Sequence, residues 1–85
     1  MAELIHQHST QVLDPEGRKY LALIYGEERP DGTWEGWLEF RTGRTVLRTG
    51  QETSQPSRTA VEYWASGLES TYLDGALARA QGRLL

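Results

Sequence analysis

Apolar and polar positions alternate most clearly along Trp34-Glu-Gly-Trp-Leu-Glu-Phe40 and Thr45-Val-Leu-Arg-Thr49. A period of two puts Trp34, Leu38 and Phe40 on one face of a strand and Trp37 on the other. Upstream, Tyr20-Leu-Ala-Leu-Ile-Tyr25 is apolar at every position. A continuous apolar run is the mark of a strand covered on both faces.

Turn chemistry divides these strands. Asp14-Pro15-Glu16-Gly17 and Arg29-Pro30-Asp31-Gly32 share the pattern X-Pro-acid-Gly. Proline presets φ at the second turn position and glycine accepts positive φ, so both predict a type I turn closed by a left-handed glycine. Gly43-Arg44 suits a two-residue type II′ turn. The three turns predict strands over residues 4–13, 18–28, 33–42 and 45–51, a four-stranded antiparallel meander. The last turn also sets a register. If Thr42 faces Thr45, Phe40 faces Leu47 and Glu39 faces Arg48, an apolar pair and an opposite-charge pair worth about 0.2–1 kcal/mol each.

The period then changes from two to between three and four. Gln51–Ser57 is a polar connection, and a helix is predicted over 56–66, started by Pro56 or, three residues later, by the capping box Thr59-Ala-Val-Glu62. It carries Ala60, Val61, Trp64 and Leu68, and Gly67 stops it. Tyr63 and Tyr72 fall near the margin of the apolar stripes. A second helix over 71–81, capped by Ser70 or Thr71 and ended by Gly82, aligns Leu73, Ala76, Leu77, Ala80 and Leu84. Gly75 within it costs about 1 kcal/mol relative to alanine. The fold class is therefore α+β: one domain over 1–85, a four-stranded antiparallel meander followed by two short C-terminal helices packed on one face. The other sheet face is left without cover.

Composition sharpens that last point. An 85-residue chain without cysteine buries a small core and has no disulfide or thiolate metal site to staple it. A second copy of the chain is a physical expectation. No apolar run approaches the ~18 residues that span a bilayer, and Met1–Thr10 lacks the pattern of a secretory signal. A cytoplasmic location is expected. The net charge of −3, spread through the chain, gives no general attraction to nucleic acid or anionic lipid.

Candidate chemistry is sparse. His6 and His8 point the same way on a strand, and imidazole suits zinc, nickel or copper. A third ligand would have to come from Glu27, Glu28 or Asp31, and a polar edge strand explains both histidines more simply. No metal and no cofactor is expected. Glu27, Glu28, Asp31 and Glu35 read as a solvated hairpin tip. Arg41, Arg44 and Arg48 beside Trp37 offer stacking plus phosphate contacts, a nucleic-acid alternative that an isoelectric point near 5.3 opposes. Ser54, Ser57, Ser66 and Ser70 sit where helix ends want hydroxyls. With no G-x-S-x-G, P-loop or G-x-G-x-x-G pattern, the chain is not expected to be an enzyme. So short a monomer leaves little room for a pocket of several hundred Å³. A ligand or catalytic site at a subunit interface stays open as an alternative.

The expectation that follows is a non-catalytic protein–protein interaction module, most simply a homodimer, using Trp37, Leu21, Leu23, Tyr25 and Val46. The turn at Arg29–Gly32 favours the odd-numbered set of the second strand over Ala22 and Ile24, and a one-residue slip would exchange them. In element order, strands followed by a helix, the chain resembles the small antitoxins of the HicB type, whose partial ribonuclease-like domains bind a toxin partner. That resemblance implies a regulatory, partner-binding alternative. The chain departs from the group in lacking its Pro-Asp-(Leu)-Pro-Gly-Cys stretch, so no functional residue is carried across.

Overall fold

The computed structural model describes residues 1–83; the Leu84 position of the predicted helical stripe lies outside them. The elements are β1 (Glu3–Gln7), β2 (Val12–Leu13), β3 (Lys19–Glu28), β4 (Trp34–Thr42), β5 (Thr45–Arg48), β6 (Thr53–Gln55), α1 (Arg58–Ser66) and α2 (Ser70–Ala80). They form one antiparallel sheet of order β1-β3-β4-β5 with both helices on one side, the expected α+β class. β2 also pairs with β3, and β6 also pairs with β4.

The turns explain this meander. Gly17 and Gly32 sit at φ +81° and +87°. Their N–H groups donate to the carbonyls of Asp14 and Arg29, both at 2.9 Å, closing the two Pro-acid-Gly loops as their chemistry requires. Across Gly43-Arg44, Thr42 pairs with Thr45, Phe40 with Leu47 and Glu39 with Arg48, the register expected from the sequence.

Both edges of the sheet differ from expectation: each is an interrupted strand. On one side the predicted 4–13 strand breaks at polar residues 8–11, leaving β1 and β2 on opposite halves of β3. On the other, β5 ends at Arg48, three residues short of the predicted Gln51. Thr49 still bonds Leu38 through its N–H at 2.9 Å and its hydroxyl at 3.0 Å. The chain then bends through Gly50 and rejoins β4 as β6, where a plain connection was predicted. β1 carries a further irregularity between Leu4 and His6. Bulges and short pieces of this kind keep sheet edges from pairing with other chains.

The helices cover the even-numbered side of β3. Ala22, Ile24, Leu38 and Phe40 are fully buried there against Ala65, Leu73, Ala76 and Leu77, with Val12 and Tyr20 alongside. Half-buried Trp64 packs edge-on to Tyr72, their centroids 6.0 Å apart. Close approach of α1 and β6 depends on Gly36, which pairs with Gly26 across the central strands. A Cβ on Gly36 would lie 2.9 Å from Thr53 Cγ2 and 3.3 Å from Val61 Cγ1. Ser57, rather than Pro56 or the Thr59 box, starts α1: its hydroxyl accepts the Ala60 N–H at 3.1 Å. The N-cap of α2 is Glu69, without a side-chain cap bond, where Ser70 or Thr71 was expected. The bidentate pair between Arg79 and Glu52 (2.6 and 3.2 Å) and the Tyr72 hydroxyl on Glu52 clamp the β5–β6 connection to α2. No helix among the described residues is long and apolar enough to cross a membrane.

Candidate functional site

The side of the sheet away from the helices is floored by alternate residues of the two central strands. Along β3 these are Leu21, Leu23, Tyr25 and Glu27, and opposite them on β4 stand Arg41, Glu39, Trp37 and Glu35. β5 adds Val46 and Arg48, and β1 adds Leu4 beside Tyr25. The five residues expected to form the contact surface thus share this face. No helix covers it.

Their exposure is uneven. Trp37, expected to stand open, is only 3% exposed, and Leu23 is buried as well. Neighbouring side chains roof them. Tyr25 stacks on Trp37 with the ring planes 13° apart and centroids 6.3 Å apart, and the Arg48 guanidinium lies 4.2 Å from the Trp37 centroid. The indole Nε1–H has no hydrogen-bond partner, the one such buried side-chain atom among the described residues. Leaving a buried donor unpaired costs about 1–3 kcal/mol. On β5 and β1 the apolar side chains Val46 and Leu4 remain open, 55% and 49% exposed, with Leu21 and Tyr25 half-buried between them.

Charge is arranged along the strands. The expected ion pair between Glu39 and Arg48 does not form, because Arg48 is drawn over the tryptophan ring. Glu39 pairs instead with Arg41 at 2.8 Å, and Arg41 also donates to the Tyr25 hydroxyl at 3.1 Å. These bonds to Glu39 and the nearby Tyr25 oxygen raise the Arg41 pKa above its ordinary value. At the opposite end Glu27 and Glu35 stand directly across from each other. Glu27 holds the chain's amino terminus at 2.9 Å and Glu35 holds Arg29 at 3.4 Å. Of the three arginines of the nucleic-acid alternative, two are committed within the face and Arg44 remains in the turn.

The other candidates disperse. His6 sits in a shallow groove with Ile5, Thr59, Glu62, Tyr63 and Ser66 of the helix side. His8 lies beyond the strand, its Nδ1 accepting the Thr10 N–H at 3.2 Å. No three histidine, aspartate or glutamate side chains come together among the described residues. Asp31 accepts the N–H and hydroxyl of Thr33 at 2.9 and 2.6 Å, as a turn aspartate does.

One feature escaped the sequence. An open groove of about 790 Å³ runs between residues 8–15 and α2, floored by Val12, Leu13, Leu73 and Ala78. This is more space than a monomer of this length was expected to hold. Splitting the first strand creates it, and no periodicity marks that split. Its deepest carboxylate, Asp14, is fully engaged. Oδ1 accepts the N–H groups of Glu16 and Arg18 at 3.0 and 2.8 Å, and Oδ2 accepts the Gln81 amide at 3.2 Å and the Tyr20 hydroxyl at 3.4 Å. Burial pushes the Asp14 pKa up, but these bonds and the Arg18 charge outweigh it and hold the carboxyl below its usual 3.8. An acid so satisfied fastens the first turn to the end of α2.

No protein-family model matches the chain, and neither does any curated protein or solved structure compared with it.

Proposed function

We propose that this chain is a non-catalytic, cytoplasmic interaction module that docks a protein partner on its outer sheet face. The observation that carries the reading is one-sided cover. Both helices lie on the even-numbered side of β3, while on the other side Trp37 is roofed by Arg48 and Tyr25 of the same face. Aromatic residues and arginine are the types enriched at the centre of protein interfaces. The absence of cysteine suits a reducing compartment.

Site-specific photo-crosslinking in the native cell tests the proposal. A benzophenone amino acid at position 46, at the rim of the face, should give a discrete protein adduct. The same probe at position 63, on the exposed side of α1, should not. Adducts from position 63 alone, or none from position 46, would contradict the reading.

A further inference from the structure

We infer that the occupant of this face is a second copy of the chain, seated face to face about a two-fold axis that runs across the strands. The inference rests on the docking proposal and adds the partner and its orientation.

Edge pairing is disfavoured first. Both edges are interrupted, β5 is four residues long, and β1 is irregular between Leu4 and His6. Strand addition needs a continuous run of free backbone groups, so self-association is left to the faces. The helix-bearing side is already closed over its core.

The order of residues on the free face then selects the orientation. Read along the strands, the rows are Glu27/Glu35, Tyr25/Trp37, Leu23/Glu39 and Leu21/Arg41, with Val46 beside Arg41. Two glutamates stand at one end, paired with the Met1 amine and Arg29, Arg41 stands at the other beside its partner Glu39, and the row of Tyr25 and Trp37 between them is aromatic. A two-fold axis lying along the strands would set each arginine row on its own copy. An axis across the strands, between the Trp37 and Glu39 rows, sets Arg41 of each copy on Glu35 of the other. The same rotation brings each Glu39 over the tryptophan row of the second copy, where the Arg48 guanidinium lies on the indole. A two-fold interface has to be self-complementary, and this polarity makes the face so in one orientation.

Size sets the strength. Nine residues of β4 at about 3.3 Å each, and three strand spacings of about 4.8 Å, give a plan area of about 430 Å². That falls short of the ~800 Å² per partner of a standard interface. The dimer is accordingly weak, with a dissociation constant on the order of 100 μM.

Sedimentation equilibrium of the full chain over about 10–500 μM tests this. The wild type should shift from monomer toward dimer. Arg41→Glu and Glu35→Arg, each folded by circular dichroism, should each weaken association at least about tenfold through like-charge contact. Mixed in equal amounts they should recover wild-type affinity, because the heterodimer restores both opposite-charge contacts. Glu35→Lys replaces Glu35→Arg if the latter does not fold. A wild type that stays monomeric throughout, or a mixture no tighter than either variant alone, overturns the inference. Should position 46 then capture a different protein in the cell, the docking reading survives and only the second copy is lost. A dimer indifferent to these charges, with position 46 silent, removes both.

Discussion

The guanidinium carbon of Arg48 lies 4.2 Å from the centroid of Trp37, on the sheet face that carries no helix. This contact replaces the ion pair that the cross-strand register offers with Glu39. It also buries the indole without any further element of structure, so Arg48 does for one face a small part of what α1 and α2 do for the other.

Removing it should be visible. Arg48→Ala is expected to cost about 0.5–1 kcal/mol, the scale of a cation–π contact at an exposed site, and to expose the ring. The tryptophan emission maximum should move to longer wavelength, with Arg48→Lys intermediate because ammonium lacks the flat guanidinium. An unchanged spectrum in Arg48→Ala would mean that Tyr25 alone shields Trp37.

Gly36 sets how closely α1 can approach the sheet. Gly36→Ala should destabilise by about 1–3 kcal/mol, as overpacking of a filled core does, because the new Cβ meets Thr53 Cγ2 at 2.9 Å. Thr53→Ser removes that methyl and keeps the hydroxyl, so the double variant should recover part of the loss. Gly26→Ala meets the more yielding side chain of Ile5 at 3.1 Å and should cost less. Urea midpoints of the wild type, the three single variants and the double variant check this, and additive effects of Gly36→Ala and Thr53→Ser would contradict it.

What the sequence made legible follows from local chemistry. The two Pro-acid-Gly loops, the Gly43-Arg44 turn and the Phe40–Leu47 pairing are set by residues close together in the chain, and all were readable. So was the assignment of Leu21, Leu23, Tyr25 and Trp37 to one face, since a period of two leaves little choice once the register is known. β6 was not readable, because Thr53-Ser-Gln55 has no apolar alternation and forms only because β4 extends past the end of β5. The burial of Trp37 was hidden for a related reason. It depends on whether Arg48 turns to Glu39 or to the ring, a choice between two neighbours that spacing alone does not make.

Alkaline pH should loosen the clamp at α2. Desolvation first, and then the Glu52 carboxylate that accepts its hydrogen bond, raise the Tyr72 hydroxyl from 10.0 to about 12. A neutral acid with a raised folded pKa contributes stability that is fully present below its unfolded value. That contribution is lost as pH climbs from 10.0 toward about 12. Melting temperatures across this window should fall less steeply for Tyr72→Phe than for the wild type. Parallel slopes would rule out the Tyr72 proton as the cause.

At acid pH the corresponding group is Asp14. Its folded pKa is depressed, so its contribution is present above 3.8 and fades as pH falls through the lower folded value. Asp14→Asn should melt below the wild type at neutral pH, and the gap should close as pH drops beneath 3.8. A gap independent of pH would show that the carboxylate charge contributes nothing.

The central claim, that the uncovered face receives a second copy, is met most directly by nuclear magnetic resonance spectra of the wild type on dilution from about 500 to 10 μM. The account predicts shifts with concentration at Leu21, Leu23, Tyr25, Val46 and the Trp37 indole N–H, with the exposed residues of α1 and α2 unmoved. Spectra that do not change with concentration, or changes confined to the helices, would contradict it.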